Sequence, residues 1–63
     1  MEDYQKRVVT EKKELDGRIN KLNAFLGGNI FNKLSTEERK LLNLQCKVMG
    51  EYSTILNDRI VTF

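Results

Sequence analysis

The sequence predicts an all-α protein: an antiparallel two-helix hairpin that self-associates into a helical bundle or ring. The 63 residues include no proline, and the 32% that are charged occur in mixed order, which suits long exposed helices better than strands. Apolar residues recur at steps of three, four and seven in both halves of the chain. We therefore expect one domain over residues 1–63, with helices over about 3–26 and 36–61 and a turn over 27–35.

The first helix is predicted by an apolar stripe made of Tyr4, Val8, Leu15, Ile19, Leu22 and Leu26. Acid-first ion pairs four positions apart, each worth about 0.3 kcal/mol, are expected at Glu2–Lys6, Asp3–Arg7 and Glu14–Arg18. The helix should end at Gly27, Gly28 and Asn29, because these residue types adopt left-handed conformations at the lowest cost.

The connection to the second helix contains three apolar residues that we expect to cover the end of the hairpin: Ile30, Phe31 and Leu34. Ser35 and Glu38 then form the pattern of a capping box, in which each side chain bonds the other residue's backbone amide. The second helix should begin directly after Ser35.

The second helix carries more apolar surface than one partner helix can cover. One stripe repeats every seven residues at Leu42, Met49, Leu56 and Phe63, and a second lies beside it at Leu41, Leu44, Val48 and Ile55. One stripe can pack on the first helix, so the other predicts a homo-oligomer, with a dimeric four-helix bundle as the minimum and a larger ring also open. Gly17 and Gly50 lie inside the predicted helices, and either a close backbone or ligand, or a tolerated surface position, explains each of them equally well.

The composition excludes several classes of function. One cysteine and no histidine leave no internal disulfide, no structural zinc site and no catalytic triad of the usual kind. There is no glycine-rich phosphate loop, and a net charge of +2 is too small for binding duplex nucleic acid or an anionic membrane. We expect a soluble, cytoplasmic protein that is not an enzyme and has no cofactor or metal.

Three polar residues recur on the first stripe of the second helix: Gln45, Tyr52 and Arg59. They could fix the helix register through interhelical hydrogen bonds, which is the interpretation that the pattern alone favours. They could instead form a polar pocket between chains, in which Arg59 binds a phosphate, Tyr52 stacks or hydrogen-bonds, and Gln45 contacts a base edge.

Antiparallel packing brings Tyr4 and Arg7 toward Arg59, so an aromatic face beside two guanidinium groups could hold a nucleotide. Solvated arginines and a core-closing tyrosine explain the same residues equally well. Phe31 is either a core residue or a platform for a base. Cys46 is better explained as a small residue at a helix contact than as a reactive thiol.

The chain also resembles a family of small proteins from crAss-like and other tailed phages, related to the helical hairpin of sponges that defeat bacterial CBASS and Thoeris immunity. The strongest part of the resemblance is the spacing from Gln45 through Met49, Tyr52, Leu56 and Arg59 to Ile60. In the rest of the chain it covers Tyr4, Arg7, Glu11, Glu14, Leu15, Lys21, Leu22, Phe25, Phe31, Leu34, Leu41 and Leu42.

The resemblance implies a phage protein that sequesters cyclic oligonucleotides or cyclic ADP-ribose isomers in the infected cell without cleaving them. It implies a homo-oligomer, often a hexamer, with pockets between protomers. The ligand-binding residues that it implies are Arg59, Arg7, Tyr4, Tyr52 and Gln45, with a weaker match at Phe31 and Asn43. The alternative function is a non-catalytic helical adaptor or scaffold that binds a phage or host protein through the second stripe.

Overall fold

The computed structural model describes residues 1–63 and is all-helical. Helix α1 spans Asp3–Leu26, a single 3₁₀ turn spans Phe31–Lys33, and helix α2 spans Thr36–Val61. The two long helices pack side by side as an antiparallel hairpin of 46 × 15 × 13 Å. The prediction of an all-α helical hairpin is therefore confirmed.

Side chains cap the first turn of each helix. The backbone N–H of Glu2 donates to Oε1 of Gln5 at 2.8 Å, and the backbone N–H of Glu38 donates to Oγ of Ser35 at 3.1 Å. Each bond satisfies an amide that has no partner within its helix. Only the Ser35 half of the predicted Ser35–Glu38 capping box forms, because the Glu38 side chain makes no return bond.

The turn between the helices corrects two predictions. No residue has a positive φ, and Gly27 is right-handed at φ −85° and ψ −1°. The chain leaves α1 through successive tight turns, in which Gly28 N–H donates to the Phe25 carbonyl at 3.0 Å, so no left-handed residue is needed. Ile30 does not cover the end of the hairpin, since it is 65% exposed, whereas Phe31 and Leu34 are half-buried.

The core of the hairpin is a single thin seam. Only Val8, Leu15 and Leu56 are buried, and the residues packed around them are Ile19, Met49 and Ile60. With two helices and no third layer, each helix can bury only one narrow stripe. The chain accordingly exposes 4927 Å², whereas a compact monomer of its mass would expose about 4,200 Å².

The seam of α2 differs from the predicted one. Gln45, Tyr52 and Arg59 are exposed. The half-buried residues that follow Leu42, Met49 and Leu56 four positions later are instead Cys46, Ser53 and Ile60. The residues three and four positions after a member of a helical stripe lie on opposite sides of that member, about 60° to one side and 40° to the other. Helix α1 packs against the side of the α2 stripe that carries the residues four positions later.

Two polar contacts cross the seam and set its register. Ser53 Oγ donates to Asp16 Oδ1 at 2.5 Å, and Cys46 Sγ donates to Asn23 Oδ1 at 3.1 Å. The hydrogen bonds predicted for Gln45, Tyr52 and Arg59 do not form across the hairpin, and Ser53 and Cys46 make the cross-helix bonds instead. The half-buried Cys46 thus lies at a helix contact.

The ion pairs expected on α1 are absent. The one salt bridge of the chain joins Lys12 Nζ to Asp16 Oδ2 at 2.7 Å, and it is basic-first, not acid-first. The predicted pairs at Glu2–Lys6, Asp3–Arg7 and Glu14–Arg18 do not form, because a fully solvated pair scarcely offsets the side-chain entropy that it costs. The hydrogen bonds from Lys12 and Ser53 lower the pKa of Asp16 below its ordinary value of 3.8.

Neither helix contains a stretch that is long and apolar enough to cross a lipid bilayer.

Candidate functional site

Two aromatic rings meet at the open end of the hairpin, where α1 begins and α2 ends. The rings of Tyr4 and Phe63 lie 5.8 Å apart between centroids and are inclined at 80°, an edge-to-face contact. Tyr4 remains 57% exposed and Phe63 38% exposed. The pair therefore closes the seam and still presents aromatic surface to solvent.

The end of α2 holds Phe63 in this position through a short run of backbone bonds. Thr62 N–H and Phe63 N–H donate to the carbonyls of Arg59 and Ile60 at 3.1 and 3.0 Å. Thr62 Oγ1 also donates to the Arg59 carbonyl, at 2.6 Å. These bonds satisfy carbonyls that would have no hydrogen-bond donor at the end of a helix, and they turn the ring of Phe63 back toward Tyr4.

Two arginines that form no salt bridge lie near the same end of the hairpin as the aromatic pair. Arg7 follows Tyr4 by three residues, and Arg59 precedes Phe63 by four. The backbone of each arginine therefore lies about one helical turn from the aromatic pair, measured along the hairpin axis. Both are exposed, and neither takes part in the salt bridge of the chain. A guanidinium carries five donors in a fork that matches a phosphate, and an aromatic ring supplies a surface on which a base can stack.

The other predicted ligand residues lie away from this end. Tyr52 and Gln45 are exposed seven and fourteen residues before Arg59, which places them about 10 and 21 Å along α2. Asn43 is exposed two residues before Gln45, and that spacing puts it on nearly the opposite side of the helix. Phe31 is half-buried in the turn, at the far end of a molecule 46 Å long.

One hairpin thus places Tyr4, Arg7 and Arg59 at the same end of the molecule and the other predicted residues elsewhere: Tyr52, Gln45, Asn43 and Phe31. The surface around the aromatic pair has no cavity or cleft. No three of the potential metal-ligating side chains come together either. The open end offers hydrogen-bond donors from the two arginines and exposed aromatic surfaces, groups that can bind a phosphate and stack on a base.

Sequence reasoning missed Phe63 as a site residue. Its place in the seven-residue repeat with Leu56 assigned it to the core stripe, and the structure leaves it partly exposed against Tyr4. The antiparallel prediction already contained the signal, since it brings the two ends of the chain together and each end carries an aromatic residue.

A strip of five large apolar residues runs along the outside of α2: Leu41, Leu44, Val48, Tyr52 and Ile55. Each is between 41% and 56% exposed. The strip contains all four members of the predicted second stripe, and it lies beside the face of α2 that packs on α1, because Val48 is about 80° around the helix from the buried Leu56. Below we call it the outer strip.

The two helical glycines have open space where a side chain would be. A Cβ built on Gly17 or Gly50 meets no atom within 4 Å. No close contact inside the hairpin therefore requires glycine at either position.

Comparison with known proteins gives one match. A family model described as Sequestin matches residues 2–62, nearly the whole chain. No curated protein matches the sequence, and no solved structure matches the fold.

Proposed function

We propose that this chain, which belongs to the Sequestin family, sequesters a cyclic oligonucleotide or a cyclic ADP-ribose-type signal without cleaving it. The protein is phage-encoded in this account and acts in the cytoplasm of the infected host cell. It keeps the signal from its effector and so blocks CBASS- or Thoeris-type immunity. The family description itself implies binding and not catalysis.

The observation that carries the proposal is the cluster of Tyr4, Phe63, Arg7 and Arg59 at the open end of the hairpin. Cyclic nucleotide signals combine phosphodiester or pyrophosphate groups with purine bases. Two guanidinium groups that pair with no carboxylate of their own hairpin can bind the phosphates, and exposed rings can stack on the bases. This chemistry needs neither a metal nor a histidine.

The proposal requires a homo-oligomer, because one hairpin presents only part of a site. Its surface is open, and the ligand residues at Phe31, Asn43, Gln45 and Tyr52 lie far from Arg59. A small ligand is usually enclosed on most of its surface, so a pocket between protomers is the arrangement we propose. The outer strip supplies the apolar area that assembly, up to a hexamer, would cover.

A second candidate function is favoured by the outer strip itself. A helix with five large apolar side chains on one exposed face is also suited to binding in an apolar groove of another protein. On this reading the chain is a non-catalytic adaptor that binds a phage or host protein, and Arg59 has no ligand.

Calorimetric titration of the purified protein distinguishes the two. The panel comprises cyclic di-AMP, cyclic di-GMP, cyclic GMP–AMP, cyclic tri-AMP and isomers of cyclic ADP-ribose. The sponge account predicts tight binding of at least one member, loss of that binding in Arg59→Ala, and retention in Arg18→Ala. Arg18 is the matched control because it is exposed, unpaired and far from the open end. Equal binding by both variants, or no heat from any ligand, contradicts the sponge account.

A further inference from the structure

The five residues of the outer strip are spaced symmetrically about Val48. Leu41 and Ile55 lie seven residues before and after it, and Leu44 and Tyr52 lie four residues before and after it. Steps of four and seven are close to whole helical turns, so all five side chains line one face. A palindromic spacing of this kind is what a two-fold axis across a helix requires, since each residue then meets its mirror position.

One pair of oppositely charged residues near the ends of α2 follows the same symmetry. Glu37 lies eleven residues before Val48 and Arg59 eleven after it, and neither takes part in the salt bridge of the chain. In an antiparallel pair, Glu37 of one copy lies beside Arg59 of the other. A parallel pair would place Glu37 beside Glu37 and Arg59 beside Arg59, and like charges so placed repel.

We infer that α2 pairs with α2 of a second copy of the chain, antiparallel, about a two-fold axis at Val48. The exposed surface area of the hairpin is consistent with a second copy of the chain as the partner. The hairpin exposes about 700 Å² more than a compact monomer of its mass, and a standard interface covers about 800 Å² on each partner. The contact supplies the second layer that a two-helix hairpin lacks and forms a four-helix bundle.

The inferred contact also completes the candidate site, and this step depends on the proposed function. Phe31 lies seventeen residues before Val48 and Phe63 fifteen after it, so the turn of one copy reaches the open end of the other. Each end of the dimer then holds Tyr4, Arg7 and Arg59 of one chain and Phe31 of the second. Glu37 of the second copy would orient Arg59, whose five donors still leave some free for a phosphate.

Charge reversal tests the inferred contact without any ligand. We expect Glu37→Arg and Arg59→Glu each to raise the dimer dissociation constant about tenfold, and the double variant to return it to within about threefold of the wild type. Glu2→Arg is the control, because Glu2 is exposed, directly precedes α1 and is not part of the helix that carries the outer strip. Sedimentation equilibrium measures the constants, and circular dichroism identifies any variant that fails to fold. No recovery in the double variant overturns the inference.

Disulfide trapping tests the direction of the pairing in a Cys46→Ser background. Val48→Cys should form a disulfide dimer with itself. Leu41→Cys should crosslink to Ile55→Cys when the two proteins are mixed, and neither should crosslink to itself. Self-crosslinking of Leu41→Cys, or no crosslink from any variant, overturns the inference. Because no ligand is present, this failure is distinguishable from failure of the sponge proposal, which calorimetry reports separately.

Discussion

Ser53 donates a hydrogen bond to Asp16 across the hairpin, Oγ to Oδ1 at 2.5 Å, while Lys12 holds the other carboxylate oxygen at 2.7 Å. This is the polar contact that ties the middle of α1 to the middle of α2. Together with the Cys46–Asn23 contact, it fixes the register of a seam whose other contacts are apolar.

The Asp16 contact predicts a specific loss of stability in acid. The hydrogen bonds from Lys12 and Ser53 lower the pKa of Asp16 in the folded state below its ordinary value of 3.8. The stabilisation is therefore fully present above about pH 4 and is lost as the pH falls through the lowered value. Thermal unfolding from pH 2 to 7 should show this in the wild type and a smaller acid dependence in Asp16→Asn. An equal acid dependence in both proteins would contradict the assignment.

The aromatic pair predicts an energetic coupling between the two ends of the chain. Edge-to-face pairs contribute about 0.5–1.5 kcal/mol beyond their buried area, and exposure puts Tyr4 and Phe63 at the lower end of that range. A double-mutant cycle of Tyr4→Ala and Phe63→Ala in urea unfolding should give about 0.5 kcal/mol. Additive effects of the two changes would show that the rings do not stabilise each other.

The thin core predicts unusual sensitivity at one residue. Leu56 is 0% exposed, and truncating a fully buried leucine to alanine costs about 2–5 kcal/mol, a large share of the stability of so small a domain. We expect Leu56→Ala to unfold or lose most of its helicity at room temperature. Val61→Ala, at a highly exposed position of the same helix, should change the free energy of unfolding by no more than about 0.5 kcal/mol. Similar unfolding curves for the two variants would rule out this core.

The helical glycines predict stabilising substitutions. Alanine at Gly17 or Gly50 meets no atom within 4 Å, and replacing a helical glycine with alanine gains about 1 kcal/mol. Urea unfolding should show that gain in Gly17→Ala and Gly50→Ala, with assembly intact. Loss of assembly or of ligand binding in either variant would instead show that a second chain or a ligand approaches that glycine.

The fold was predictable because its signals are local. The periodicity of the apolar residues indicates two helices, and Ser35 marks the start of α2 through its bond to the Glu38 amide. The turn was predicted less well. Glycine permits left-handed conformations without requiring them, and whether Gly27 adopts one depends on where α2 must pack.

The candidate site was only partly predictable, because its geometry depends on which side of a stripe the partner helix takes. Residues three and four positions apart satisfy the same periodicity, so Gln45 and Cys46 could not be ranked as seam positions from the pattern. The antiparallel topology did place Tyr4 and Arg7 at the same end as Arg59. It could not bring Phe31 or Asn43 to them, because both residues lie far from the open end within one hairpin.

The most direct test of the sponge account is recovery of a captured signal. The protein is incubated with each cyclic nucleotide of the panel, freed of unbound ligand by desalting, denatured by heat and analysed by liquid chromatography. The account predicts that at least one cyclic nucleotide is retained by the folded protein and released intact, and that Arg59→Ala retains none. Release of a linear or hydrolysed product would show catalysis, and retention of no ligand by the wild type would contradict sequestration.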